Sequence, residues 1–118
     1  MSGRTATLLM VALITGCSPK ITNLTANPKH YYEEQVEVVG RVSRMHVFTD
    51  EVLVELADPR EHRILVRVPA KDKPKIDQWV EVRGPFVAEL RVGDRVVYDA
   101  IAAEEIDGHR KPWFSNLF

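Results

Sequence analysis

Cys17 is the only cysteine of the 118-residue chain, and it stands directly behind Ile14-Thr15-Gly16. Before these lies a short apolar run, Leu8-Leu9-Met10-Val11-Ala12-Leu13-Ile14, with Arg4 as a basic start. A basic start, an apolar stretch and small residues at a cleavage point are the features of a secretory signal. The run is well short of the ~20 apolar residues that a permanent membrane span requires. Other chemistry is hard to assemble. There is no Gly-x-Ser-x-Gly elbow, and Ser18, Ser43 and Ser115 have no histidine and acid at a recognisable spacing. His30, His46, His62 and His109 are scattered. His46 and His62 are placed to meet across neighbouring strands, but surface histidines without a metal are the simpler reading. The acidic pairs Glu33-Glu34, Asp50-Glu51 and Glu104-Glu105 are adjacent in sequence. On a strand, adjacent side chains point to opposite faces, so such pairs cannot act as a general acid and base. No catalytic residue, metal or cofactor is expected.

The Ile14-Thr15-Gly16-Cys17 sequence resembles the lipobox of bacterial lipoproteins. That resemblance implies that the Cys17 thiol takes a diacylglycerol by thioether formation. Cleavage between Gly16 and Cys17 then makes Cys17 the first residue of the mature protein. Two or three acyl chains give stable anchoring where one gives marginal binding. Ser18 stands where an aspartate would favour inner-membrane retention, which implies the periplasmic side of the outer membrane in a two-membrane bacterium. In an organism with one membrane, the same resemblance implies its outer face.

Residues 17–118 make one small domain with one modest core. With Cys17 acylated no disulfide is left to staple it, so apolar packing must hold the fold. The formal net charge is −1, which offers polyanions no global attraction.

Residues 17–26 read as a lipidated start and polar tether. Asn27-Pro28 suits the start of a short helical turn, with Asn as N-cap and Pro in the first position. It carries Tyr31 and Tyr32 toward the body and ends near Gln35. From there the chain alternates as half-buried strands do. Val36 and Val38 open a long first strand, with a phase slip at Val39-Gly40 that predicts a bulge or bend there. Val52, Val54 and Leu56 mark the second strand, and Ile64, Val66 and Val68 the third. Residues 69–78, with Pro69, Pro74 and the lysines Lys71, Lys73 and Lys75, form a solvated loop. A fourth strand holds Val80, Val82 and Phe86 and bends at Gly84-Pro85. Arg91-Val92-Gly93-Asp94-Arg95 supplies a hairpin turn, and the fifth strand covers 96–106. Residues 109–118 form a tail with Trp113, Phe114, Leu117 and Phe118, expected to pack on the barrel.

A long bent first strand followed by four more, with a break after the third, makes an all-β chain with a short N-terminal helical turn. It resembles the OB-fold, a small five-stranded barrel, over roughly 21–106. The resemblance rests on Asn27-Pro28 and Tyr32 before Val36-Glu37-Val38-Val39-Gly40-Arg41-Val42, and on Val80-Glu81-Val82-Arg83-Gly84. The helix usual between the third and fourth strands is reduced to a loop. An SH3-like barrel is the competing architecture. The expected division is a signal peptide at 1–16, a tether at 17–26, a barrel at 27–108 and a tail at 109–118.

In an OB-fold, ligands meet the face of strands two and three and the loops beside it. Here that face and its loops offer Phe48, Arg63, Arg67, Arg91 and Arg95, which suit a phosphate, carboxylate or glycan. Exposed aromatics for stacking a nucleic-acid strand are not evident, and Leu53 and Leu65 can instead form a second packing layer. The leading expectation is a lipid-anchored envelope binding or adaptor module without catalytic activity. It would be tied to the membrane by its lipid and would meet an envelope protein, peptide or glycan. A structural subunit of a larger envelope complex is the alternative, ahead of an oligonucleotide-binding protein, which charge and compartment disfavour.

Overall fold

A computed structural model describes residues 18–111. Six strands follow a helix, α1 (Ile21–Ala26), and a 3-10 turn at Pro28–Tyr31. They are β1 (Gln35–Val47), β2 (Glu51–Ala57), β3 (Arg63–Pro69), β4 (Trp79–Val92), β5 (Arg95–Ala102) and β6 (Glu105–Gly108). The order β1-β2-β3-β5-β4, with β4 also pairing with β1, closes a five-stranded ring, and β6 adds to the free side of β4. All pairings are antiparallel except β3 with β5. This is the OB-fold barrel.

Closure depends on two long strands that each serve two partners. β1 pairs with β4 through Gln35–Arg41, then with β2 from Arg41 to Val47. β4 does the same, leaving β1 after Pro85 and joining β5 from Phe86 onward. The expected bend at Gly84-Pro85 is this change of partner. The irregularity of β1 falls between Val42 and Arg44 and not at Gly40. Val36, Val38, Gly40 and Val42 all point inward without a slip. Gly40 is small for another reason: a Cβ there would lie 3.0 Å from the Leu56 Cβ and 3.4 Å from the Ile21 Cδ1. At the true bulge, the Ser43 hydroxyl reaches the Glu55 carbonyl (3.1 Å) and carboxylate (2.9 Å).

The segment expected as tether contributes to the core. Ile21 and Leu24, three apart on one face of α1, are 1% and 0% exposed and join the barrel cluster. A six-residue helix is too short to persist alone, so this burial is what holds it. The β3–β4 connection keeps only a 3-10 turn, Ala70–Asp72, and α1 supplies apolar packing against β3 and Leu56 instead. The fifth strand is also shorter than expected. The Ala103 N–H bonds to the Arg67 carbonyl and the Glu104 N–H to the Arg83 carbonyl, which turns the chain out of β5 and into β6. The residues expected as a signal, Cys17 and the aromatic tail residues from Trp113 onward lie outside the described residues.

Candidate functional site

β2 and β3 form the wall that an OB-fold offers to ligands, and their alternation decides what it shows. Val52, Val54 and Leu56 with Ile64, Val66 and Val68 fill the barrel. Glu51, Leu53 and Glu55 with Arg63, Leu65 and Arg67 therefore face outward. Much of this outer face is already covered, and the cover is the far end of the β4–β5 hairpin.

The hairpin turns at Gly93-Asp94 between the paired Val92 and Arg95. Gly93 has φ +61° while Asp94 does not enter the left-handed region, the pattern of a type II′ turn. Leu90, Val92 and Val97 pack with Leu53, Leu65 and Phe48 in a second apolar cluster that also takes in Ala100 and Ala102. Leu53 and Leu65 are thus a packing layer. Polar fasteners tie the hairpin down. Arg67 pairs through Nε with Glu51 (3.3 Å) and donates through Nη1 to the Arg91 carbonyl (3.1 Å). Glu51 in turn accepts from the Gly93 N–H at 3.1 Å.

The residues expected to form one ligand face are therefore separated. Phe48 and Arg67 hold the hairpin. Arg63 stands at the other end of β3, bonded to Glu55 (2.7 Å) and Glu61 (3.0 Å). The Glu55 hydrogen bond and charge, outweighing desolvation, raise the Arg63 pKa above the usual arginine value. Glu61 also pairs with Arg41, which reaches Asp77. Arg91 and Arg95 are exposed but lie opposite Val96 and Val92 respectively, on opposite faces of the hairpin ribbon. The two histidines do not meet. His46 lies beside Phe48, ring centroids 4.9 Å apart, near the start of β2. His62 bonds Asp58 at 3.0 Å beyond its other end.

What stays open is the strip between the hairpin and α1. It forms a groove of about 270 Å³ lined by Leu24, Glu55, Arg63, Leu65, Tyr98 and Asp99, among others. Beyond the Leu65–Ala100 register β3 and β5 no longer pair, and Asp99 turns there with φ +54°. The Tyr32 hydroxyl donates to the Asp99 carboxylate, and its ring stacks on Phe86 at 5.7 Å. Tyr98, 64% exposed, stands on the rim. Its floor is apolar and its rim carries a phenol, a guanidinium and two carboxylates. That combination suits a compact ligand with a flat apolar body and hydrogen-bonding edges. Of the expected ligand face only Arg63 lines this groove; the contributions of α1, Tyr98 and Asp99 were not anticipated from the sequence. The Val96-x-Tyr98 alternation was a signal for the exposed phenol, but the Asp99 kink has no signature. A second, more open hollow of about 650 Å³ lies beside Val47, Phe48, Asp50, Glu51 and Asp94, and its charged lining is acidic.

No family model matches the chain, and no curated protein does. Among solved structures it is similar to the S. pombe Stn1-Ten1 complex, at 14% identity and a TM-score of 0.48, over 66% of this chain and 60% of that one. It is also similar to a putative aspartyl-tRNA synthetase from Leishmania major Friedlin, at 10% identity and a TM-score of 0.57, over 92% of this chain. The chain spans only 26% of that synthetase. At such identity the likeness is one of fold. The expectation of an envelope protein, peptide or glycan as partner, with nucleic acid set aside, gives way here. A net charge of −1 is a whole-chain average and too coarse to exclude a class of ligand.

Proposed function

We propose that the chain is a non-catalytic binding module of the OB-fold, exported and held to a membrane through acylated Cys17. The observation that carries the binding role is the groove between α1 and the β4–β5 hairpin. It is the part of the outer β2–β3 face that the hairpin leaves open, and it combines an apolar floor with the rim of Arg63, Tyr98 and Asp99. A ring stacked on Tyr98 with its edge toward Arg63 and Asp99 is the mode this lining suits. The anchoring role is supported by Ile14-Thr15-Gly16-Cys17, and Ser18 after the cysteine favours the outer membrane.

Both halves can be tested in one preparation of the full chain expressed in a two-membrane bacterium. Intact mass is expected to show loss of residues 1–16 and a diacylglycerol adduct on Cys17, both abolished in Cys17→Ser. Retention of the leader in the unsubstituted chain would overturn the anchoring. For the groove, amide shifts on titration with aromatic fragments and with short single-stranded oligonucleotides are compared. Shifts at Thr25, Leu65 and Tyr98 that vanish in Tyr98→Ala support the site. Shifts confined to Phe48 and Asp94 would overturn it.

A further inference from the structure

Between Cys17 and the first residue of α1 stand only Ser18, Pro19 and Lys20. Fully extended, they let the cysteine move roughly 14 Å from Ile21. Even that reach is curtailed. The Lys20 N–H bonds to the Asn23 Oδ1 at 2.8 Å, and the Ser18 hydroxyl donates to Glu37 on β1 at 3.2 Å. Ile21 is anchored in the barrel core at 1% exposure. The leash is therefore part of the folded body.

From this we infer that a lipid bilayer surface meets the protein on one fixed side, the end bearing α1, a conclusion that rests on the acylation of Cys17 proposed above. A freely tethered domain samples all orientations, because a flexible linker decouples it from its anchor. Here the anchor enters the body within a few residues of a buried side chain. The hairpin tip lies at the other end of the barrel wall. α1 packs near Leu56 and Ile64, where β2 ends and β3 begins, whereas Gly93 touches Phe48 and Glu51, where β2 starts. The length of β2 puts roughly 20 Å between the two ends. The groove, walled by Leu24 and Thr25 of α1, then lies on the membrane-proximal half, and the hairpin tip points into the aqueous space.

The test uses the full acylated chain, in which Cys17 is consumed, so that an introduced cysteine carries the only free thiol. Fluorophores are placed on Ala26→Cys or Asp94→Cys. The protein is reconstituted into phosphatidylethanolamine and phosphatidylglycerol vesicles carrying a headgroup quencher. Quenching at position 26 is expected to exceed that at position 94 several-fold. Inserting a ten-residue Gly-Ser spacer after Pro19 is expected to reduce the difference sharply. Equal quenching in a chain whose mass shows the acyl adduct overturns the orientation alone. A chain without the adduct overturns the anchoring reading and this inference with it.

Discussion

The ring of Phe48 lies against the backbone of Gly93, so close that a Cβ on Gly93 would stand 2.3 Å from the Phe48 Cδ1. This contact joins the β1–β2 turn to the tip of the β4–β5 hairpin and seats the hairpin over Leu53 and Leu65. Gly93 also holds φ +61°, which strains any other L-residue. Gly93→Ala thus meets both a clash and an unfavourable backbone. It is expected to cost about 1–3 kcal/mol, read as a lowered urea midpoint. Hydrogen exchange should quicken across the hairpin before it does in β2 and β3. An unchanged midpoint would show that the hairpin is not seated through this contact.

Leu24 tests whether α1 is structural. The side chain is fully buried within the barrel cluster, and the helix that carries it is only six residues long. Leu24→Ala is expected to lose about 2–5 kcal/mol, a large share of the ~5–15 kcal/mol that holds a typical domain together. Thr25→Ala, one position along on the exposed side, should change stability by no more than about 0.5 kcal/mol. Equal effects of the two would place the helix outside the cooperative unit.

How much of this was legible in the sequence follows from the range of the forces involved. The barrel strands were, because Val36, Val54, Val66 and Val82 each report burial through period-two alternation with immediate neighbours. The partner change at Gly84-Pro85 was too, since a bend has local chemistry. Gly40 misled: a missing side chain looks the same whether it marks a bulge or makes room for Ile21 and Leu56. Helix α1 was missed because Ile21 and Leu24 are its only large apolar residues, in a stretch otherwise polar enough for a tether. The outer face was read as arginines awaiting a ligand because nothing near Arg67 announces that Glu51 and the Arg91 carbonyl engage it. That engagement depends on the curl of the hairpin, a tertiary property of residues 24 positions apart.

Asp58 makes a third prediction. It is 1% exposed and organises the β2–β3 turn. Its carboxylate accepts the N–H groups of Arg60 (2.8 Å) and His62 (2.9 Å) and bonds the His62 ring. Asp58→Ala leaves these donors unserved and is expected to cost about 1–3 kcal/mol. Asp58→Asn keeps one acceptor oxygen and should lose less. Because Arg63 and Glu61 flank this turn, the Ala variant is also expected to loosen the groove end of β3, seen as amide-shift changes at Arg63 and Leu65. Shifts limited to residues 58–62 would show that the turn and groove are uncoupled.

The Tyr32–Asp99 hydrogen bond makes stability depend on alkaline pH. Hydrogen bonding to Asp99 first, then burial, then the aspartate charge, raise the Tyr32 pKa above the usual tyrosine value of about 10. A group whose pKa is higher folded than unfolded binds its proton more tightly in the folded state. Its contribution is complete below the unfolded value and is lost as pH climbs through the folded one. Stability should therefore hold up to pH about 10 and fall above it, with the tyrosinate absorbance of one residue appearing late. Tyr32→Phe removes the late titration and flattens this part of the profile, while retaining the stack on Phe86. Tyr98→Phe, at an exposed rim position, leaves both intact. If Tyr32→Phe preserves the alkaline fall, the Asp99 bond is not its source, and the kink that opens the groove must be held by the strand backbone alone.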